Sequence, residues 1–447
     1  MELSGLNVTI MGLGRHGGGV ATARHCAQAG ARVTVTDLAS ANTLAESIAP
    51  LNDLPIQRFV IGRHDADDFR HADVVVVNPA VRPDDELVAL ARKNGAQITS
   101  EIELFLDACP AQVVGVTGTV GKSTTAAMLD AILKKSDRPC WLGGNIGHSL
   151  LPEVDQIQHH DVVVLELSSF QLHWLTENAR WPSAALVTNC LTNHLQWHGT
   201  REHYVASKQH LIRHLPAGGF AIFGGADHEL SRWHSLLPRN VTCLDPWSPS
   251  RIPELLIPGN HNRTNAALAA AVGGRLGVAV EVIATALAEF QGLPHRIEFV
   301  GEVAGRRFYN DSKSTTPAAT IAALASMDRP TWLLLGGVEQ QLEYSELMAA
   351  VVNRAAGAAF FGGAASRLEQ LARDRDNSFR TNRSANLREA FLYCWNQSRA
   401  GDTILLSPAC PSTDQFRDFT HRGEEFTRLA RVVGINHGDT GAPSLQN

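Results

Sequence analysis

The stretch GVTGTVGKSTT, residues 115–125, sets a glycine-rich turn between an apolar run and a run of helix-forming residues. Gly118 and Gly121 allow a tight loop, with Thr119 inside it, whose backbone amides can turn inward on phosphate oxygens. Lys122 would neutralise those oxygens. The hydroxyl of Ser123 or Thr124 would hold Mg2+, a hard cation that takes oxygen ligands. AQVVGVTG (111–118) reads as a buried strand entering the loop. KSTTAAMLDAILKK (122–135) reads as a helix with basic residues at its C-terminal end, where the dipole favours them. One position departs from the general GxxxxGK[ST] pattern: Val116 stands where its first glycine would be. A nucleotide site on an α/β scaffold follows, with the phosphate acceptor left open by the loop itself.

Similar β-branched runs recur on both sides, as buried parallel strands do. NVTIMG (7–12), ARVTVTD (31–37) and ADVVVVNPAV (72–81) precede the loop, and DVVVLELSS (161–169) and SAALVTNC (183–190) follow it. PTWLLLGG (330–337), GAAFFGG (357–363) and DTILLSPAC (402–410) form a third group. The segment 216–265, rich in Pro, Gly, Trp and His, reads as loops and short strands at the edge of the second group. Helical stretches between the runs complete βα units. The expected fold is three α/β domains: a Rossmann-like domain over 1–100, a central P-loop ATPase domain over 101–293 and a C-terminal Rossmann-like domain over 294–447. The tail after 435 is expected to be disordered.

Composition narrows the class. At 44% apolar and 19% charged residues the chain is an ordinary globular protein, and its net charge of −6 argues against a nucleic-acid binder. Seven cysteines without a CxxC pair suggest free thiols in a reducing compartment. The N-terminus MELSGLNVTIMGLG has neither a basic start nor a cleavage site, and no apolar run approaches the roughly 18–20 residues that span a bilayer. A cytoplasmic protein, not inserted in a membrane, is expected. Only six of the 39 basic residues are lysines, at 93, 122, 134, 135, 208 and 313. A chain that uses arginine elsewhere keeps lysine where a compact charge or a deprotonated amine is needed, or by chance.

Gly12-Leu-Gly14-Arg15-His-Gly17 follows a strand and opens a helix, and Asp37 ends the next strand, twenty residues after Gly17. That is the spacing and context of a dinucleotide fingerprint, or of a ligand-free βα turn. Glu166 ends the run DVVVLE, where an acid completes a Mg2+ site or simply terminates a strand. His194 lies in TNHLQWH after another strand edge, and Lys208 in the helical YVASKQHLIRHL, where a solvated face is the default. Pro294-His295-Arg296, Asn310-Asp311-Ser312-Lys313 and Ser407-Pro408-Ala409-Cys410 stand at or beside strand ends of the third group, the His421-Arg422-Gly423 cluster adds cations, and together they point to anion handling.

Taken in order, GLGRHG, TGTVGKST, LGGNIG (142–147), LELSSFQL (165–172), NHLQWHG, Lys208, PGNHNRTNAALAA (258–270), LPHRIE, NDSKSTTP, LLGG and LSPACPSTDQFRDFTHRGEEF resemble the motifs of the Mur ligase family along nearly the whole chain. The resemblance is strongest to members that add D-glutamate to UDP-N-acetylmuramoyl-L-alanine. It implies an ATP-dependent amide ligation through an acyl phosphate, with ATP, UDP-MurNAc-L-alanine and D-glutamate as partners, Mg2+ (two ions) as cofactor, and a monomer. By position it implies that Gly118, Thr119, Gly121, Lys122, Ser123, Thr124, Asn262, Asn265, Arg296 and Asp311 meet ATP. Ser123, Glu166, His194 and a carbamylated Lys208 would hold metal, and Lys122, Glu166, His194 and Lys208 would carry catalysis. Gly14, Arg15 and Asp37 would bind uridine diphosphate, Asn145 and Ser168 the muramoyl-alanine, and Lys313, Thr315, Ser412 and Phe419 the amino acid. Four positions depart from the family: Val120 for its usual Asn, Asn193 and Gln196 for the acids of DHLD, and Gln340 for a basic residue that meets the incoming glutamate. A related ligase for L-glutamate or another amino acid, and a non-catalytic nucleotide-binding protein, are the alternatives these leave.

Overall fold

The computed structural model describes residues 1–15, 17–224, 227–340 and 342–436, with residues 435 and 436 described by their backbone alone. His16 of the first glycine motif and residues 437–447 of the tail expected to be disordered lie outside the described residues, while Asn436 still belongs to the helix Phe419–Asn436.

Among the described residues there are three sheets, one for each group of apolar runs. The first contains β1 (Asn7–Met11), β2 (Arg32–Asp37), β3 (Ile56–Ile61), β4 (Val74–Val77) and β5 (Gln97–Thr99), in the order β3-β2-β1-β4-β5, all parallel. The order reverses between β1 and β4, so a crevice opens beyond the carboxyl ends of those strands. Gly12 and Asn78 stand at that point, Asn78 Nδ2 donating to the Gly12 carbonyl at 3.2 Å. A Cβ on Gly12 would lie 2.8 Å from Asn78 Cβ, and its φ is +93°, so the position requires glycine.

The second sheet contains β6 (Gln112–Thr117), β7 (Cys140–Gly144), β8 (Val162–Glu166), β9 (Ala184–Val187), β10 (Phe220–Phe223) and β11 (Thr242–Leu244), again all parallel, in the order β11-β10-β9-β6-β8-β7. Its reversal falls at β6, which puts the glycine loop 118–121 at the switch point. The first two sheets belong to one compact unit, Met1–Ile252 with Thr264–Leu287. A continuous apolar core joins them, from Val8 and Val33 through Leu104 and Phe105 to Val163, Leu165 and Ala185. Trp174 and Trp197 complete the joint, their indole N–H groups donating to the carbonyls of Val81 and Ala80. The segment 216–265 holds the expected short edge strands but also the start of helix Asn260–Arg275. The alanine run at 266–271, a strong helix former, is buried along it.

The second compact unit, Pro253–Arg263 with the chain from Ala288, holds β12 (Glu298–Val303), β13 (Arg306–Asn310), β14 (Thr331–Gly336), β15 (Ala355–Phe361), β16 (Thr381–Arg383) and β17 (Thr403–Ala409). Their order is β12-β13-β17-β14-β15-β16, parallel except for the antiparallel pair β12 and β13. β14 shows why the run TWLLLG is uniformly apolar. Leu333 and Leu335 enter one core with Phe360 and Leu405, while Trp332 and Leu334 enter another with Phe361 and Leu406 on the opposite face. Leu334→Ala removes a fully buried side chain and should cost about 2–5 kcal/mol. Native-state hydrogen exchange of the β14 and β17 amides should accelerate accordingly.

Candidate active site

The phosphate loop is built by backbone that only glycine tolerates at two places. Gly118 has φ +144° and Gly121 φ +86°, and Gly121 caps the helix Lys122–Lys135 in the left-handed conformation. A Cβ on Gly118 would overlap Thr188 Oγ1, and one on Gly121 would lie 2.6 Å from Asn265 Oδ1. The residues just after β9 hold the loop from beside it. Asn189 Oδ1 accepts the amides of Thr119 (3.2 Å) and Val120 (3.0 Å), and its Nδ2 donates to the Val120 carbonyl at 2.9 Å. Thr188 Oγ1 donates to the same carbonyl at 2.6 Å. Val120, in place of the family's usual Asn, is 56% exposed at the loop tip, so its side chain carries none of this anchoring. Lys122 Nζ donates to the Thr119 carbonyl at 3.0 Å, and Ser123 and Thr124 are half-buried at the helix start.

Lys208 does not occupy a solvated face. It is 1% exposed, and its amine donates to the Gly118 carbonyl at 2.8 Å and faces Thr117 Oγ1 at 3.4 Å. Burial, with Lys122 second, pushes its pKa down to about 7. Tyr204, one turn earlier, lies beneath the amine with its ring centre 4.9 Å away and hydrogen-bonds Thr119 Oγ1 at 2.8 Å.

Glu166 is also 1% exposed. Its Oε1 accepts Asn145 Nδ2 at 2.9 Å, while Oε2 is buried with no hydrogen-bond partner. A buried, half-satisfied carboxylate is costly unless a cation completes it, so the donor chemistry fits a Mg2+ ion. His194 adopts φ +54° at the start of the short helix Leu195–His198 and packs on Phe170 at 4.8 Å. Burial, then Lys122 and Lys208, lower its pKa, which keeps a lone pair free for a ligand. Among the described residues no three His, Cys, Asp or Glu side chains stand close enough to hold a metal, so Glu166 and His194 would need oxygen donors of other kinds to complete one. Asn193 holds the backbone here, its Oδ1 accepting the His194 amide, and the Gln196 carbonyl accepts from Arg82. Ser168 caps helix Ser169–Trp174 in a reciprocal capping box with Gln171.

In the first sheet's crevice Asp37 turns inward, its Oδ2 accepting the Gly14 amide at 2.9 Å and Oδ1 the Ala39 amide at 2.8 Å, with Arg15 exposed beside Gly14. Asp37 therefore shapes the glycine turn as well as bordering it. Asn265 lies in the first compact unit and Asn262 in the second, where Asn262 Nδ2 donates to the Pro258 carbonyl at 2.7 Å.

Within the second unit, Asp311 is buried at the end of β13, accepting Ser407 Oγ at 2.7 Å and the Ile297 amide at 3.1 Å, beside Arg296. Burial raises its pKa to about 6. Lys313 is exposed with its amine 5.8 Å from the centre of the Phe419 ring, while Thr315 follows on the same turn and Ser412 is buried. Arg422, fully buried, donates to the Gly336 and Cys410 carbonyls and to both the carbonyl and the hydroxyl of Ser312. It knots the ends of β13, β14 and β17 together. Arg422, expected to handle anions, instead spends its donors on carbonyls and a hydroxyl of the chain. Asn78, Thr188, Asn189 and Tyr204 were not among the expected site residues. Asn78 and Asn189 stand just past strand ends in VVVVNP and LVTN, the signal that could have found them.

A mononucleotide-type phosphate loop with a buried acid and a buried lysine beside it, on three α/β sheets, defines an ATP-using enzyme class, and the comparisons make it specific. The chain belongs to the Mur ligase family. It matches the Mur ligase MurD-like N-terminal domain over residues 6–100, the Mur ligase middle domain over 116–244 and the Mur ligase glutamate ligase domain over 295–410. It is similar to the UDP-N-acetylmuramoylalanine–D-glutamate ligase of Roseiflexus sp. (strain RS-1), 35% identical over 96% of this chain and 99% of that one. The enzyme of the same name from Symbiobacterium thermophilum is 32% identical over 93% and 96%. Among solved structures, UDP-N-acetylmuramate–alanine ligase MurC of Thermotoga maritima (TM-score 0.54, 19% identical, covering 96% of this chain and 100% of that one) shares the fold. So does MurF of Acinetobacter baumannii (TM-score 0.55, 17% identical, 83% and 93%).

Gly118→Ala would force a Cβ into Thr188 in a conformation that L-residues avoid. Its ATP affinity should fall at least about tenfold, the loss of roughly one good hydrogen bond or more. Titration with a fluorescent ATP analogue checks this.

Proposed function

We propose that the chain is an ATP-dependent amide ligase that adds D-glutamate to UDP-N-acetylmuramoyl-L-alanine in peptidoglycan precursor synthesis, as a cytoplasmic monomer. The observation that carries this reading is the 2.9 Å hydrogen bond from Asn145 to Glu166. It ties the acid expected at the nucleotide's metal to the residue expected at the muramoyl-alanine, so phosphoryl donor and carboxylate acceptor meet at one point. A carboxylate is a poor acyl donor, and phosphorylation supplies the leaving group. The substrate carboxylate oxygen attacks the γ-phosphorus and ADP departs. The amino group of glutamate then attacks the acyl carbon, loses a proton and expels phosphate.

Each residue has a physical task in that sequence. The loop amides of residues 118–121 and Lys122 offset charge on the β- and γ-phosphates. Ser123, Glu166 and His194 would hold Mg2+, which when bound offsets the charge of the transferring phosphoryl group. Lys208, whose pKa of about 7 leaves an unprotonated amine available above that pH, can take up CO2: the amine nitrogen bonds carbon, one C=O pair moves onto oxygen and the nitrogen loses a proton, leaving an anionic oxygen donor. Arginine, always protonated, cannot do this. Gly14, Arg15 and Asp37 border the crevice for the uridine diphosphate, with Ser168 beside the acyl end. Asn262, Asn265, Arg296 and Asp311 are assigned to ATP, and Lys313, Thr315, Ser412 and Phe419 to the amino acid. The domains assigned to these tasks are 1–100, 101–293 and 294–447.

Gln340 supports a second reading within the same class, a ligase for L-glutamate or another amino acid. It supplies no cation of its own, and its carbonyl accepts from Arg367 at 3.2 Å. Phosphate release should require ATP, Mg2+, UDP-MurNAc-L-alanine and D-glutamate together. Release with a different amino acid in a panel selects the second reading, and none with any amino acid sinks both. A further outcome follows from Lys208. The cost of burying its ammonium is full below about pH 7 and is relieved as pH rises toward the ordinary value of about 10.4. Activation by added bicarbonate should therefore be strong above pH 7 and fade near pH 6. Lys208→Ala should lose about a hundredfold in rate and recover part of it with acetate. Rates indifferent to CO2 depletion would refute the carbamate.

A further inference from the structure

Two acids on one short helix are not used by the chemistry above. Helix Glu101–Ala108 starts two residues past β5 and precedes β6, so it links the two parallel sheets of the first unit in the chain, and its Leu104, Phe105 and Leu106 lie in their shared core. Ser100 caps it, accepting the Glu103 amide. Its first turn then aims two carboxylates at segments that flank strands of the second sheet. Glu101 Oε1 accepts the hydroxyl of Ser149, and Ser149 Oγ in turn accepts the Leu151 amide at 3.2 Å, closing the end of the loop that follows β7. Glu103, 2% exposed, accepts both the amide (2.8 Å) and the hydroxyl (2.7 Å) of Thr176.

The two segments caught this way are those that carry Asn145 and Ser168. Asn145 begins the loop that Ser149 ends, and its other anchor is Glu166: its amide donates to the Glu166 carbonyl and its side chain to Oε1. Ser168 caps the helix Ser169–Trp174, and Thr176 lies just beyond that helix. We infer that Glu101 and Glu103 are positioning residues: from the helix that leaves the uridine-binding sheet, they fix the height and angle of the Asn145 and Ser168 segments, and so the register in which the nucleotide and acyl ends of the substrate are held. The inference rests on the assignment of Asn145 and Ser168 to the muramoyl-alanine.

The chemistry suits a fixed strut. A carboxylate offers two acceptor oxygens, and at Glu103 both are used by one residue, so Thr176 is pinned at two atoms. Burial pushes Glu101 to about 7 and raises Glu103. The bond at Glu101 survives either protonation state, because the serine hydroxyl can donate to a carboxylate or accept from a carboxyl group. Glutamine reproduces both contacts in shape, whereas alanine removes them.

The test compares Glu101→Ala, Glu101→Gln and Glu103→Gln with Asn145→Ala, in the full-length protein. In Glu101→Ala, hydrogen exchange of the 144–150 amides should accelerate, and KM for UDP-MurNAc-L-alanine should rise about tenfold, the loss of a charge-assisted bond. The rate at saturation and KM for ATP should stay within about twofold. Glu101→Gln should restore both readouts, and Glu103→Gln should leave them at wild-type levels. Unchanged exchange in Glu101→Ala, or equal losses in kcat and in KM for ATP, overturns the inference. A raised KM in Asn145→Ala with a normal one in Glu101→Ala overturns the strut alone. Normal KM values in both overturn the assignment of Asn145 on which it rests.

Discussion

The buried amine of Lys208 on the Gly118 carbonyl is the contact on which the site depends. A lysine taken out of water without a carboxylate partner is destabilising as an ammonium. The structure accommodates it by lowering its pKa to about 7 and by giving the amine a carbonyl and a hydroxyl to face. The helix Arg201–Arg213 is thereby fixed to the end of β6, and Tyr204 on the same helix reaches Thr119 inside the loop. The phosphate loop is held from one side by that helix and from the other by the residues after β9.

That second support explains how the loop accommodates Val120. In this chain Thr188 and Asn189 supply the hydrogen bonds that fix the loop's shape, and all of those at position 120 are made by its backbone. A side chain at the tip is then free to vary. Asn193 also has a structural use, steadying the left-handed His194, a conformation that costs a non-glycine residue roughly 1–2 kcal/mol. Strain of that kind persists where surrounding contacts over-determine it, here the packing of His194 on Phe170.

The same device, polar groups spent on shaping backbone at strand ends, recurs in each sheet. Asp37 and Asn78 shape the glycine turn after β1, and Asn189 the loop after β6. Arg422 does it for the third sheet with no carboxylate at all, dividing its donors among carbonyls and a hydroxyl, and burial lowers its pKa to about 10. Open α/β sheets place ligands at these edges, and here the turns are shaped by the protein's own polar groups while Glu166 keeps one carboxylate oxygen unpartnered.

The three sheets, the phosphate loop and the strand-end positions of Glu166 and Asp311 were legible in the sequence. Buried parallel strands must be apolar throughout, and a turn onto phosphate needs glycine at fixed spacing. Those are local requirements, written in consecutive residues. The helix beginning inside 216–265 was missed because loop-forming Pro, Gly and His precede its alanine run. The environment of Lys208 was not legible, since its helix reads as polar and its burial depends on a loop ninety residues earlier. Nor were the roles of Asn189, Asn78 and Arg422, or the reach of Glu101 to Ser149 and Glu103 to Thr176. Sequence by itself determined the class of fold and the chemistry available at each strand end. Tertiary structure decided which of those groups face each other, because hydrogen bonds between distant segments depend on how the sheets stack, and no local pattern encodes that.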